Sequence, residues 1–156
     1  MNRNFPLFNK AESAEEKIAN IIVGHSQIDE ALGLFILGHF FKITKDKNNK
    51  TERLQFESFI LSKVGNREKI EAVYEIMGEP KDKVFKKSLM RLAEIRNSVA
   101  HDTMYASGKL VANMSGRPDL DSLYSEFTEI MTRFEEFIES VHTGYMNDLN
   151  YLYEQD

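Results

Sequence analysis

The sequence contains no cysteine and only three prolines among its 156 residues. Without cysteine the chain can form neither disulfide bonds nor thiolate metal sites, so its folding does not depend on oxidation. The scarcity of proline, together with a hydrophobic content of 42%, favours a globular, helix-rich protein. Because a chain of this length can bury about two thirds of its extended surface, we expect a single domain spanning residues 1–156.

Long apolar runs are also absent. The longest one, Ala31 to Gly38, is far shorter than the roughly 20 residues needed to span a bilayer. The first six residues, Met-Asn-Arg-Asn-Phe-Pro, lack the apolar segment of a signal peptide. These features predict a soluble, cytoplasmic protein with no membrane partner.

Several familiar catalytic motifs are missing as well. The sequence has no GxxxxGK[ST] or GxGxxG phosphate loop, no HExxH zinc motif and no GxSxG nucleophile motif. His25 and His39 are four helical turns apart, about 21 Å, and cannot share a metal ion, so we interpret them as packing or interface residues. We expect no metal and no cofactor.

The net charge of −5 conceals two regions of opposite sign. Residues 42–101 carry 14 Lys/Arg against 9 Asp/Glu, whereas residues 119–156 carry one Arg against 10 Asp/Glu. A basic middle region can attract phosphate groups even in an acidic protein. Lysines are concentrated at 81–87, at the start of a predicted helix, where positive charge is unfavourable. Lys86 and Lys87 are therefore candidate anion-binding residues, although an ordinary solvated helix face explains them equally well.

The spacing of apolar residues predicts an all-α protein, an antiparallel bundle of four to five helices. A long first helix is expected over about 11–42, with a capping box at Ser13 and Glu16. Gly24, Gly33 and Gly38 inside it suggest close packing by a neighbouring backbone, or a bend. Shorter helices are expected over 53–64 and 67–77, and another after Pro80. A short β-hairpin at about 103–113 precedes the last long helix. That helix has a heptad seam, which favours packing against another long helix in either direction, formed by Leu120, Leu123, Phe127, Ile130, Phe134, Phe137 and Val141.

At the end of a predicted helix, one stretch combines polar side chains that can bind anions or transfer protons: Arg96-Asn97-Ser98-Val99-Ala100-His101. Arg96 and His101 are five positions apart, which places them about 140° apart around an unbroken helix. Their side chains can converge only if the helix unwinds near Val99 or Ala100, or if a second chain supplies one of them.

This hexapeptide resembles the Arg-x4–6-His motif of the HEPN superfamily, in which a polar residue, often Asn, follows the Arg. The layout is similar too, with a long first helix, a motif helix, a short connection and a closing long helix, as in members related to the mannitol operon repressor. The family often has glycine after the His, whereas this chain has Asp102.

The resemblance implies a metal-independent endoribonuclease of toxin–antitoxin or antiviral defence systems. Cleavage by 2′-OH attack needs proton transfer and positive charge at the phosphate, so His101 and Arg96 would be catalytic and Asn97, Lys86 and Lys87 would bind RNA. One histidine does not readily serve as both acid and base. The resemblance therefore also implies a homodimer with composite sites, controlled by an antitoxin or regulatory partner.

A different interpretation of the same residues stays open. Asn97 and His101 could cap the helix, and Arg96 could pair with Glu94 or with an acidic residue of the last helix. The protein would then be a non-catalytic helical module that regulates or binds another protein, since a fold does not determine a function.

Overall fold

The computed structural model describes residues 11–41, 50–78, 83–106, 109–112 and 119–141. Its five α-helices are α1 (Ala14–Phe41), α2 (Lys50–Phe59), α3 (Asn66–Met77), α4 (Lys83–Asp102) and α5 (Leu120–Val141). A 3-10 turn, Leu61–Lys63, joins α2 to α3. After α4, strands β1 (Thr103–Ala106) and β2 (Lys109–Ala112) pair antiparallel, with Thr103 opposite Ala112. Only the backbone is described for residues 50, 101–106, 109–112 and 139–141. For this part of the chain the predicted helical bundle is confirmed.

The core lies between α1, α3, α4 and α5. The middle of the predicted α5 seam is buried: Leu123, Phe127, Ile130 and Phe134 are each at most 4% exposed. Leu120 and Phe137 are half-buried, and the side chain of Val141 lies outside the described part of the structure. The seam meets apolar residues from the other three helices, namely Ile21, Ile28, Leu32, Ile70, Val73, Leu89, Leu92, Ile95 and Val99. Burial of this continuous apolar surface is the main force that stabilises the bundle.

Helix α5 runs in the same direction as α1. Near the first turns of both helices, the Lys17 ammonium lies 2.6 Å from an Asp121 carboxylate oxygen. One turn further along each helix, the Asn20 amide donates to the Tyr124 hydroxyl over 3.0 Å. Because both pairs advance along the two chains together, the antiparallel arrangement predicted for the whole bundle is wrong for these two helices.

Helix α5 runs antiparallel to α4. The ring of Phe85, in the first turn of α4, lies 5.5 Å from the ring of Phe137 near the end of α5. Further along α4, the Arg91 guanidinium reaches back to Glu126 in the first half of α5, at 3.2 Å. The seam fits either direction, since ridge-and-groove packing at a shallow angle does not depend on polarity.

The start of α1 has the predicted capping box. Ser13 Oγ accepts the backbone N–H of Glu16 at 3.1 Å, and a Glu16 carboxylate oxygen accepts the N–H groups of Glu12 and Ser13 at 2.7 and 3.1 Å. Backbone hydrogen bonds from Ser13 and Glu12 hold the pKa of the Glu16 carboxyl below its ordinary value. This reciprocal bonding fixes where α1 begins.

Gly33 lies in the middle of α1 at a buried position, yet a Cβ atom built there has no heavy atom within 4 Å. The close backbone approach expected at this glycine is therefore absent. We predict that Gly33→Ala raises the free energy of unfolding by about 1 kcal/mol, because alanine is the better helix former. Urea denaturation followed by circular dichroism measures the change.

Gly78→Ala is the matched control for Gly33→Ala. A Cβ at Gly78 is equally unobstructed, but its backbone has φ +82° and ψ −162°, a conformation that L side chains rarely adopt. This replacement should therefore lower the free energy of unfolding by about 1–3 kcal/mol. Destabilisation by Gly33→Ala would show that the neighbourhood of Gly33 is tighter than the structure indicates.

Helix α1 is long and apolar enough to cross a membrane by length and mean hydropathy, 1.2 over its most apolar 18 residues. A core helix of a soluble protein and a signal sequence meet the same criterion. Ile18, Ile21, Ile28 and Leu32 of α1 are each at most 6% exposed, and they belong to the same apolar core as residues of α3, α4 and α5. This packing favours a core helix, and cytoplasmic location stays a prediction.

An exposed apolar patch lies where α2 meets the end of α1. It consists of Phe40, Phe59 and Ile60, which are 49–66% exposed, with Phe59 and Ile60 on either side of Phe56 around the helix. Leu54 is also 49% exposed, but it lies on the opposite side of α2. The Phe40 ring is 5.8 Å from the ring of the half-buried Phe56, which connects the patch to the core. The spacing of α2 therefore did not predict which of its apolar residues are buried.

Candidate functional site

Arg96 and Asn97 lie in the second half of α4. Arg96 is half-buried and Asn97 is exposed. Arg96 Nη1 donates a 2.9 Å hydrogen bond to Asn97 Oδ1. The structure therefore joins two of the predicted site residues through their side chains. Asn97 restricts the guanidinium without neutralising its charge.

The carboxylates that could neutralise Arg96 are bonded to Arg91 instead. Arg91 Nη1 lies 2.6 Å from Glu94, and its Nε lies 3.2 Å from Glu126 of α5. Hydrogen bonding to Glu94 is the main cause that raises the pKa of Arg91. The expected alternative, Arg96 paired with Glu94 or with an acidic residue of the last helix, is not what the described side chains show. Among the side chains that the structure describes, Arg96 therefore has no ion-pair partner.

Helix α4 continues without a break from Lys83 to Asp102. Of the two ways in which the motif side chains could converge, unwinding near Val99 or Ala100 is therefore not what the structure shows. Val99 is completely buried, which explains why the helix persists: its side chain anchors this turn to the core. The backbone positions of Arg96 and His101 thus lie about 140° apart around one axis.

The two motif positions belong to different faces of α4. Arg96 is four residues after Leu92 and three before Val99, so it shares the face that the helix buries. Position 101 is four residues after the exposed Asn97 and seven after the exposed Glu94, so it belongs to the outer face. The His101 side chain lies outside the described part of the structure. From the backbone alone, one chain does not direct both motif positions to one side of α4.

His25 on α1 is a neighbour of Arg96 that the sequence analysis did not connect with the motif. Burial is the main cause that lowers the pKa of His25, and the positive charge of Arg96 lowers it further, whereas Asp29 opposes the shift. Burial and the Arg96 charge thus both favour the neutral form of the imidazole. Its Nε2 atom is buried and has no hydrogen-bond partner among the described residues.

No feature of the sequence pointed to this neighbourhood. His25 steps by sevens with Ile18 and Leu32, which supports only the packing role given to it. The link to Arg96 exists because α1 packs against α4, a contact between segments about 70 residues apart. Such pairs are visible only after the helices have been assembled.

Lys86 and Lys87 lie far from Arg96. Lys86 is ten residues before Arg96 on the same helix, about 15 Å along its axis. Its ammonium forms an ion pair with Glu71 and lies 5.4 Å from the centre of the Tyr74 ring. Lys87 is exposed. The structure therefore does not bring these lysines to the Arg96 neighbourhood, and any contact they make with RNA would involve a different stretch of the strand.

A second polar group lies between α1 and α3. Lys69 is only 7% exposed, and its ammonium is 2.6 Å from Asp29. The amide of Asn66 donates to the other Asp29 oxygen at 3.3 Å. A cavity of about 170 Å³ next to this ion pair is bordered by Gly33, Leu37 and Leu61. Because the buried cation is paired with Asp29, we interpret the group as structural.

Within the described ranges there is no group of three or more His, Cys, Asp or Glu side chains placed to hold a metal ion.

Comparisons with protein-family models, with curated proteins and with solved structures find no match for this chain.

Proposed function

We propose that the protein is a metal-independent endoribonuclease of the HEPN type, acting in a toxin–antitoxin or antiviral defence system. The observation that carries the proposal is the state of Arg96. Its guanidinium is half-buried, oriented by Asn97 and not paired with the nearby Glu94, which is bonded to Arg91. An oriented cation without a carboxylate partner is what phosphate binding requires, and among the described side chains Arg96 has no such partner.

The proposed reaction is attack of a ribose 2′-OH on the adjacent phosphorus, followed by loss of the 5′-oxygen of the next nucleotide. One group removes the 2′-OH proton and another protonates the leaving oxygen, so the products are a 2′,3′-cyclic phosphate and a free 5′-OH. Arg96 stabilises the negative charge that develops on the phosphorane oxygens. His101 takes a proton-transfer role, since an imidazole with a pKa near ~6.5 can donate or accept at neutral pH.

A homodimer is part of this proposal. The continuous α4 helix supports it, because unwinding near Val99 is no longer available as a way to bring the two motif residues together. If Arg96 of one chain and His101 of another form the site, a two-fold dimer contains two such sites, each with one histidine. In each site His101 makes one of the two proton transfers and solvent water makes the other. Lys86 and Lys87 would contact RNA outside the cleavage point, and an antitoxin or other regulatory protein would control the enzyme.

The test is cleavage of a fluorescent RNA by purified protein. Wild type is expected to produce cyclic-phosphate ends in the presence of EDTA, and His101→Ala should reduce the rate by about 10²–10⁴-fold, as expected for loss of a proton-transfer group. His39→Ala, a half-buried histidine in the last turn of α1, is the control for loss of an imidazole. Equal melting temperatures for the variants would exclude unfolding as the cause. Wild-type protein that leaves RNA intact would refute the proposal.

The second candidate function is a non-catalytic helical module that regulates or binds another protein. The observation that favours it is the placement of the two motif positions on different faces of α4. It predicts that His101→Ala changes nothing, while a charge in the exposed apolar patch, such as Phe59→Asp, prevents partner binding. Phe137, a residue of the predicted α5 seam, is unsuitable for this test, because it packs against Tyr74, Phe85 and Phe134.

A further inference from the structure

The buried nitrogen of His25 is a polar group that the proposed function leaves unused. Nε2 is shielded from solvent and has no hydrogen-bond partner among the described residues. Buried polar atoms almost always have a partner, because an unsatisfied one keeps the desolvation cost without compensation. A lone buried nitrogen beside a proposed catalytic cation therefore calls for a functional explanation.

Helix α1 packs on α4, and His25 and Arg96 each lie on the buried side of their own helix. On α1, His25 lies between Ile21 and Ile28, at positions i−4 and i+3, and both are at most 2% exposed. Arg96 is flanked in the same way on α4 by Leu92 and Val99. The side chains of both residues thus project from the apolar faces of their helices, which meet in the core. The pKa of His25 agrees with this placement. Arg96 shifts it more strongly than Asp29 does, although Asp29 lies only one turn from His25 on the same helix.

The two groups have complementary hydrogen-bonding capacity. A guanidinium has five N–H donors and no acceptor, whereas a neutral imidazole has one acceptor nitrogen. With its proton on Nδ1, His25 offers Nε2 as that acceptor. Arg96 uses Nη1 for Asn97, which leaves other N–H groups for His25 and for a phosphate.

We infer that His25 is a positioning residue for Arg96: in the RNA-bound protein Nε2 accepts an N–H of the guanidinium and directs its remaining donors towards the phosphate. This inference rests on the proposed function. It does not make His25 a catalytic residue, because the buried nitrogen acts on the RNA only through Arg96. It adds α1 to a site that the sequence motif confines to α4.

The first experiment measures the contact without RNA. The His25 imidazole is titrated by NMR in wild type and in Arg96→Gln. Arg96 on α4 and Asp29 on α1 are the charged groups that act on it. We expect the pKa of His25 to lie below its ordinary value in wild type and to rise when the guanidinium is removed. An unchanged titration in Arg96→Gln would overturn the inference, whatever the protein does to RNA.

The second experiment tests the positioning role with two replacements. His25→Leu fills the space without an acceptor, whereas His25→Gln restores a polar side-chain end. We expect His25→Leu to lower the cleavage rate about tenfold or more and to weaken binding of an uncleavable 2′-O-methyl RNA, as loss of a hydrogen bond to a charged group does. His25→Gln should recover most of both. Melting temperatures of the two variants control for folding.

The outcomes separate this inference from the proposed function. Active wild-type protein together with an equally active His25→Leu would overturn the role of His25 and leave the ribonuclease proposal standing. Wild-type protein that neither cleaves nor binds RNA would overturn the proposed function and with it any role of His25 towards RNA. Full loss of activity in His25→Gln at an unchanged melting temperature would also contradict the acceptor role, because glutamine supplies one.

Discussion

Mixing the Arg96→Ala and His101→Ala proteins is expected to restore RNA cleavage to about a quarter of the wild-type rate, although each variant alone should be nearly inactive. Random exchange of subunits makes half of the dimers mixed. In a mixed dimer, Arg96 of one chain and His101 of the other form one intact site, and the second site lacks both. Co-expression of differently tagged chains, followed by tandem purification, isolates the mixed dimer, which should have about half of the wild-type activity.

The physical reason for this expectation is the continuity of α4. Residues 83–102 form one helix, and its two motif positions lie about 140° apart around the axis. Proton transfer and phosphate binding must occur at the same phosphate, with donor and acceptor atoms about 3 Å apart. A second chain can supply the missing group without changing this helix. Each single variant should therefore lower the rate by about 10²–10⁴-fold.

A double variant provides the control. Wild type mixed with the Arg96→Ala, His101→Ala protein forms dimers in which each site has lost one group, so the mixed dimer should be inactive. If the Arg96→Ala and His101→Ala mixture is no more active than its components, while wild type cleaves RNA, then the two residues act within one chain. The composite site would then be wrong, and His101 would have to reach the Arg96 side of α4 through its own side chain.

Much of the fold was predictable because it depends on local patterns. The 4-and-3 spacing of Leu123, Phe127, Ile130 and Phe134 correctly identified the buried face of α5, since helical periodicity decides which side chains share a face. The capping box at Ser13 and Glu16 is likewise a local signal. Helix direction is not encoded in such a pattern, which is why the antiparallel prediction was wrong for α1 and α5.

Errors arose where local sequence is ambiguous. Gly33 suggested close backbone packing, yet the space beside it is open. The prediction failed because a glycine in a helix can also occur where the core is poorly filled. The apolar residues Ile22 and Phe40 of α1 are 36% and 62% exposed, although apolar spacing alone would place them with the buried stripe. Ile22 lies about 100° around the helix from the completely buried Ile21, and Phe40 lies in the last turn of α1.

The candidate site was only partly visible in the sequence. The sequence identified Arg96 and Asn97 as neighbouring site residues but did not predict the hydrogen bond between their side chains, and the independence of Arg96 from Glu94 depends on Arg91 and on Glu126 of another helix. The sequence also left open whether α4 unwinds near Val99 or Ala100. Val99 is completely buried, and the helix continues through the motif. The link between His25 and Arg96 likewise depends on the packing of α1 against α4, two helices far apart in the sequence.

Phe134→Ala is expected to lower the free energy of unfolding by about 3–5 kcal/mol. The Phe134 side chain is completely buried, and its ring lies 6.1 Å from that of Phe137 in a stacked arrangement. The replacement removes apolar contact area and leaves a cavity that rigid helices fill only in part. Domains of this size are stable by about 5–15 kcal/mol, so the variant should unfold at a much lower urea concentration.

Phe59→Ala is the matched control, since the same atoms are removed from a side chain that is 66% exposed. It should change the free energy of unfolding by no more than about 0.5 kcal/mol. All measurements need one protein concentration, because coupled dimerisation makes stability depend on it. If Phe134→Ala and Phe59→Ala lowered the free energy of unfolding equally, the buried face of α5 would be assigned wrongly. A large loss at Phe59 that disappears on dilution would instead identify the exposed apolar patch as a contact between subunits.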